Sequence, residues 1–315
     1  MRVFGYFRFA LFSSLFWVSS FTFAQQDPQF SQILFNPMSI NPGYAGSLNM
    51  IGIGAINRLQ WTGFGTGAPV STALGINAPI APFGFNSGVG LSILNDRYGF
   101  NSDLGINVSY AARFKIKLID GNLGIGVAAG FMNNSIDPKW NYPSGGGDDA
   151  IPDKKESSIN LDVSTGLYYN TDYMFFGFSA LHLNEAKINR TALPAHYTRQ
   201  YYLTGGYIVN LPSALWQFEP SVMVHSDLKS SKLSINTLLR YNKKFWGGVS
   251  FRVSEAITGM IGFELFNGIK FGYAYEFSMS KISKYNDGSH EFFLGYNFQL
   301  KKEKPPQQYK SLRFL

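Results

Sequence analysis

The chain has 315 residues, no cysteine, 33 glycines and an aromatic fraction of 17%, and only 15% of its residues are charged. That composition excludes a disordered chain, which needs more charge and fewer aromatics, and it excludes a disulfide framework, a cysteine zinc site and a cysteine lipid anchor. The formal charge of +7 is concentrated at the ends. Arg2 and Arg8 stand without an acid in residues 1–24, and Lys301, Lys302, Lys304, Lys310 and Arg313 face only Glu303 in residues 301–315. The body between them is close to neutral, which removes nucleic acid as a partner.

In chain order, Arg2 and Arg8 precede an uncharged apolar run from Phe9 to Phe23, and Thr22-Phe23-Ala24 has the small-x-small form of a cleavage site. This is the pattern of a signal peptide, and the run is short for a bilayer span. Residues 25–47 follow, with Asn36-Pro37 and Asn41-Pro42 as two turn signals that argue against a regular strand. The segment is apolar and aromatic enough to pack in or on whatever follows.

From Leu48 to Leu300 the readable period is two, carried by β-branched and aromatic residues with frequent glycine. In residues 107–118, Val108, Tyr110, Ala112, Phe114, Ile116 and Leu118 oppose Asn107, Ser109, Arg113, Lys115 and Lys117. In residues 290–300, Phe292, Leu294, Tyr296, Phe298 and Leu300 oppose Glu291, Phe293, Gly295, Asn297 and Gln299. Strands are expected at 48–59, 70–80, 86–94, 103–117, 121–132, 158–169, 172–181, 199–211, 214–226, 231–242, 244–253, 256–265, 268–279 and 290–300. The count is even, and most segments have the length a tilted strand needs to cross a bilayer. With the chain starting on the periplasmic side, the longest connections, at 133–157 and 182–198, fall outside and tight turns fall inside, as in an outer-membrane barrel. The fold class expected is therefore all-β: a transmembrane antiparallel barrel of about 14 strands, with an irregular N-terminal segment and a short basic tail. Its divisions are 1–24 signal peptide, 25–47 motif segment, 48–300 barrel and 301–315 periplasmic tail.

Charges within the strands lie on the small or polar parity. Arg58, Arg113, Asp162, Arg240, Arg252, Glu264, Glu276 and Glu291 are expected to face the lumen and pair there, since a mid-depth Arg facing lipid costs about 2–4 kcal/mol. The four histidines, His182, His196, His225 and His290, have no metal-ligand spacing. No nucleophile elbow or phosphate loop occurs, so no catalytic residue, metal or cofactor is expected. Gly145-Gly146-Gly147-Asp148-Asp149 lacks the spaced acids of a calcium loop and reads as a loop tip. The tail KKEKPPQQYKSLRFL offers Tyr309, Leu312, Arg313, Phe314 and Leu315 as docking candidates.

The opening QDPQFSQILFNPMSINPGYAGS, the RLQW element from Arg58 to Trp61, GLYYNTDYMFFGFSALHLN (166–184), FGYAYEFSMSKIS (271–283), GSHEFFLGYNF (288–298) and the closing KSLRFL together resemble the PorP/SprF family of type IX secretion system membrane proteins of Bacteroidetes. Gly43 departs from the family's alanine in NPAYAG, and Ala180 from a proline before His-Leu. The resemblance implies a non-enzymatic outer-membrane barrel, and the even strand count with a periplasmic start puts both termini in the periplasm. The resemblance also implies work with the secretion and gliding machinery, through a secreted adhesin's C-terminal domain or the periplasmic ring proteins PorK and PorN, with outer-membrane lipid around it. Phe30, Asn36, Pro37, Asn41, Pro42, Tyr44, Arg58 and Trp61 are its motif positions for structural or partner contact. A passive porin for small solutes is the alternative function.

Overall fold

The computed structural model describes residues 27–117, 120–139, 152, 154–189, 195–213, 215–265 and 268–299. Fourteen barrel strands follow one another: β1 Ile51–Leu59, β2 Val70–Ile80, β3 Ser87–Tyr98, β4 Asn101–Ile116, β5 Gly121–Ile136, β6 Glu156–Asn170 and β7 Met174–Leu181 make one half. The other half is β8 Gln200–Tyr207, β9 Trp216–Ser226, β10 Ser231–Tyr241, β11 Phe245–Arg252, β12 Ala256–Glu264, β13 Ile269–Ser278 and β14 Ser289–Phe298. Each pairs antiparallel with its sequence neighbours, and β14 closes onto β1 from Ile51↔Phe298 to Leu59↔His290. Closure leaves no strand edge, the condition a sheet must meet where lipid cannot satisfy free backbone N–H and C=O groups.

The strands agree with the period-two reading, and two differences have physical causes. β3 to β6 run longer than expected, as a wall in which Asn95–Tyr98, Asn101–Asp103, Asn133–Ile136 and Glu156–Ser158 continue the ladder. These residues lack the apolar alternation because they rise beyond the apolar band. β8 stops at Tyr207 and resumes as Val209–Asn210. The ladder to β9 breaks at Tyr207, which the register sets opposite Pro220, a residue with no N–H to offer, and at the following Ile208.

Alternation sends one parity outward. Among the described residues of the fourteen barrel strands, Arg97 is the one Asp, Glu, Lys or Arg on the outer face, at the far end of β3; the others share the parity of Arg58, Asp162 and Glu276. Aromatic residues gather on the outer face at the end where β1 begins and β14 finishes. Trp216 and Tyr241 meet at 4.7 Å, Phe263 and Phe271 at 5.4 Å, and Tyr296 and Phe298 at 5.2 Å. Rings with one polar edge suit a membrane–water interface.

The core lies inside the barrel. Residues 27–47 run through the lumen as an irregular segment with three 3₁₀ turns, Ile33–Phe35, Pro37–Ser39 and Pro42–Tyr44. The two Asn-Pro pairs start two of these turns: Asn36 and Asn41 sit at the cap, and Pro37 and Pro42 take the first helical position, where a missing N–H costs nothing. The segment's Phe30, Ile33 and Ile40 pack with the wall residues Ile56, Trp246, Met260 and Phe293. Met38, Tyr44 and Ala45 pack against Ala111 and Tyr168. Wall glycines make this approach possible. A Cβ on Gly126 would strike Pro42 and the Gly43 nitrogen, on Gly88 the Ala45 carbonyl, and on Gly166 the Asn41 side chain. Gly43 itself has room for nothing larger, since its Cβ would lie 2.7 Å from the Gly166 oxygen and 2.9 Å from the Tyr168 nitrogen.

Candidate functional site

The site is the lumen and the groups by which it holds the N-terminal segment. The largest assembly is ionic. Arg58 on β1 donates to Glu276 on β13 at 2.7 Å and lies 3.4 Å from Glu291 on β14; Arg252 on β11 donates to the other Glu276 oxygen at 3.2 Å. Arg58 and Glu291 are each 1% exposed. Glu291 also accepts the backbone N–H of Ser31 at 2.8 Å and of Gln32 at 2.6 Å, and the Ser31 hydroxyl donates to Glu276 at 3.2 Å. Four strands' charges thus close on two consecutive residues of the lumen segment. Buried ions persist because each is paired and their remaining lone pairs are taken by N–H donors.

A second contact holds the start of the segment. His182, just after β7, lies 2.7 Å from Asp162 through Nδ1 and 3.2 Å from Asp27 through Nε2. Burial disfavours the imidazolium, but Asp27 and the hydrogen bonds to Asp162 and Asp27 outweigh it and push the His182 pKa up to about 10. Burial likewise works to raise the Asp27 carboxyl, and His182 overcomes it and holds the carboxyl below its ordinary value. His182 thus bridges wall and segment as a cation. Because its folded pKa lies above the unfolded value, its stabilisation is complete below pH 6.5 and lost as pH rises through about 10. The protection of residues 27–35 against hydrogen exchange, corrected for the intrinsic base-catalysed rate, is therefore expected to fall between pH 7 and 10, with stability falling on the order of 1 kcal/mol per pH unit at the steepest. His182→Gln should flatten that dependence; an unchanged profile would remove the ion from the contact. Nearby, Gln29 lies 3.3 Å from His225, which stacks on Tyr202 at 4.3 Å and bonds Gln200 at 2.7 Å.

Further along, the Asn41 amide donates to the Leu167 carbonyl at 2.9 Å while its oxygen accepts from the Gly43 N–H. Arg113 donates to the carbonyls of Gly43 and Ala45 and, at 2.8 Å, to Asn170. The segment stands between two cavities. One of about 590 Å³ is lined by Asp27, Arg58, Trp61, Asp96, Arg252 and Glu255; the other, of about 340 Å³ at the end where β1 begins, by Pro37, Tyr44, Tyr168 and Arg240.

The residues singled out in the sequence fall into distinct places. Arg58, Arg252, Glu276 and Glu291 form one network, while Asp162 joins His182 instead. Arg240 pairs with Glu219 at 2.7 Å, and Glu264 with Lys270 at 3.6 Å, near the opposite rim. Phe30, Asn36, Asn41, Pro42 and Tyr44 are buried in the lumen and Pro37 is half-buried. Trp61 lies in the β1–β2 connection with φ of 54°, its N–H donating to Ser289. Tyr309, Leu312, Arg313 and Phe314, the signal peptide and the Gly145–Asp149 loop lie outside the described residues. The expectation of both termini at one end needs correction for the start of the described chain. Asp27 sits beside His182 at the far end of β7, while Leu48 leads into β1 at the other end, because the segment threads the lumen lengthwise. Asp27, His182, Glu219 and Lys270 were missed in the sequence. The parity of Glu219 and Lys270 was a usable signal; nothing local marks Asp27 or His182 as partners.

Ser179 and Ser289, the serines beside His182 and His290, are committed elsewhere: Ser179 donates to the Ile40 carbonyl and Ser289 accepts from Trp61. Among the described residues no three His, Asp or Glu side chains converge as a metal site requires.

A closed barrel with an apolar outer band, an aromatic rim and inward charges is an outer-membrane β-barrel. The sequence profile described as "Type IX secretion system membrane protein PorP/SprF" matches residues 22–296, and the chain belongs to that family. The match stops short of the closing KSLRFL. Among solved structures the chain is similar to the outer membrane protein Omp33 of Acinetobacter baumannii, at 8% identity and TM-score 0.46, covering 79% of this chain and 98% of that one. It is also similar to the toluene transporter TbuX of Ralstonia pickettii, at 11% identity and TM-score 0.48, covering 90% and 100%. Among curated protein sequences none matches the chain significantly.

Proposed function

We propose that this barrel is an anchoring component of the type IX machinery rather than a conduit. It holds a secreted adhesin's C-terminal domain, or the periplasmic PorK and PorN ring, at its rims. The observation that supports this reading is the lumen segment, which is tied to opposite walls by Glu291, Asp162–His182, Asn41 and Arg113 and stands between the two cavities. A lumen so occupied leaves the rims as the surfaces for partners. The end where β1 begins and β14 finishes is the periplasmic one in this reading, since its connections are short and the long ones, 137–155 and 182–199, lie at the other end. Residues 1–24 are removed on export, and the basic tail 301–315 is a periplasmic docking peptide with Tyr309, Leu312, Arg313 and Phe314 as contacts. The protein performs no catalysis.

Two measurements test this. Purified mature protein in planar bilayers is expected to show no stable open-channel current; steady currents would favour the porin alternative. Tagged protein extracted from native membranes in mild detergent is expected to bring down ring proteins or an adhesin. Deleting 301–315 should lower that recovery while insertion of the barrel is unaffected; unchanged recovery would make the tail an inert overhang.

A further inference from the structure

The outer wall carries a second feature, unconnected with the lumen. At the end opposite the one where β1 begins and β14 finishes, the outward residues of neighbouring strands form two rows rich in polar groups. The upper row runs Tyr275, His290, Leu59, Val70, Arg97 and Ser102 from β13 through β14 and β1 to β4. The row beneath runs Tyr273, Phe292, Asn57, Thr72 and Asn95 over the same wall. Their polar groups are ordered: Asn57 donates to Thr72 at 2.8 Å, and Tyr273 and His290 bond at 2.8 Å. The third row, Leu294, Ala55, Leu74 and Ile93, is apolar throughout.

A groove of about 760 Å³ descends from these rows. Its head is lined by Asn57, Thr72 and Tyr273 and its body by Ile261, Phe292 and Leu294, while Phe245, Phe263 and Phe271 form its foot at the aromatic rim of the other end. Polar above and apolar below is the order of an amphiphile standing in a leaflet. The rim above it is cationic. Arg97 faces outward about 14 Å from His290 across three strand spacings, and beside His290 the 3₁₀ turn Lys281–Tyr285 adds exposed Lys281 and Lys284; the exposed acids near this rim among the described residues are Asp137 and Asp287.

The geometry points to a built site for one phosphorylated, multiply acylated glycolipid of the outer leaflet, lipid A in chemical class. Its acyl chains lie along the head and body of the groove, its sugar hydroxyls meet the Asn57–Thr72 and Tyr273–His290 rows, and its phosphates meet Lys281, Lys284 and Arg97. Two separated cationic groups with neutral hydrogen-bonding groups between them suit a sugar head bearing two phosphates; a single-phosphate glycerolipid would use one of them. The leaflet assignment rests on the orientation proposed above.

Native mass spectrometry of the mature protein released from detergent micelles tests the site, with bisphosphorylated lipid A, its dephosphorylated form and phosphatidylglycerol as probes. One lipid A is expected to remain bound, with occupancy about tenfold above that of the dephosphorylated form. The triple variant R97Q/K281Q/K284Q should lose about fivefold in occupancy, and Ala55→Phe, which fills the groove without touching the charged rim, should lose a similar factor. Equal retention of the dephosphorylated lipid, or an unchanged triple variant of native heat-modifiable mobility, overturns the inference. An epitope in the β9–β10 turn at Lys229, probed on intact cells, checks the orientation separately. Surface labelling without lipid A binding overturns the site and leaves the orientation standing; absence of labelling overturns the orientation and, with it, the outer leaflet as the source of the ligand.

Discussion

Replacing Gly126 by leucine is expected to turn a silent barrel into a conducting one. Gly126 is on β5 and faces the lumen, where Pro42 and the Gly43 nitrogen lie against its Cα. Even a methyl group there meets backbone of the lumen segment, and a leucine adds three further carbons in the same place. The segment must leave the wall over residues 41–45, which also strands the Asn41 bond to Leu167 and the Arg113 bonds to Gly43 and Ala45. The wall can keep its ladder, because the register of β5 with β4 and β6 depends on backbone groups alone. The expected record is ion current in planar bilayers from the variant and none from the parent, with both showing the same heat-modifiable gel mobility. Gly166→Val attacks the same contact from β6, through the Asn41 side chain, and should act alike. Silence from both, in barrels shown to be inserted, would mean that the segment does not close the lumen.

The second large effect is on stability. Glu291→Ala removes the acceptor of three groups at once: the Ser31 N–H, the Gln32 N–H and the Arg58 guanidinium. Arg58 keeps Glu276 at 2.7 Å, but Glu276 already serves Arg252, so Arg58 is left with one carboxylate that it shares, while Arg252 also has Glu255 at 3.7 Å. Breaking a buried ion pair by deleting one partner costs about 3–5 kcal/mol, since the remaining charge stays desolvated. Urea unfolding of the barrel in lipid vesicles should show a loss of that size. Glu264→Ala, at the half-exposed pair with Lys270 near the rim, should cost about 1 kcal/mol or less. The contrast between the two glutamates is the measurement. Similar losses at both would mean that the Arg58 network is not structurally central. Replacing Glu291 and Arg58 together by apolar residues should recover part of the loss, as partnerless charge is the main penalty.

Much of this architecture was legible in the chain. The period of two is a local property: each strand must send alternate side chains to lipid and lumen, so residues 290–300 or 231–242 announce their faces without reference to any neighbour. The same parity placed Arg58, Arg252, Glu276 and Glu291 on the inner face before any partner was known. Strand ends were harder to place where the ladder outlasts the apolar band, as in β3 to β6, and β8 is cut by a proline on the adjacent strand. Both effects depend on what lies across the sheet.

The sequence by itself determined a closed, even-stranded barrel, inward charges and an N-terminal segment unable to be a strand, because these follow from alternation and from proline's missing N–H. Only the tertiary structure decided where that segment goes. Ser31 meets Glu291 across 260 residues of chain, and Asp27 meets His182 across 155. Such pairs carry no local signal, since it is barrel closure that brings β14, β1 and β7 around one lumen. The glycines had the same double character: in sequence they read as ordinary barrel residues, and in the fold Gly88, Gly126 and Gly166 are the places where the wall gives way to the segment it encloses.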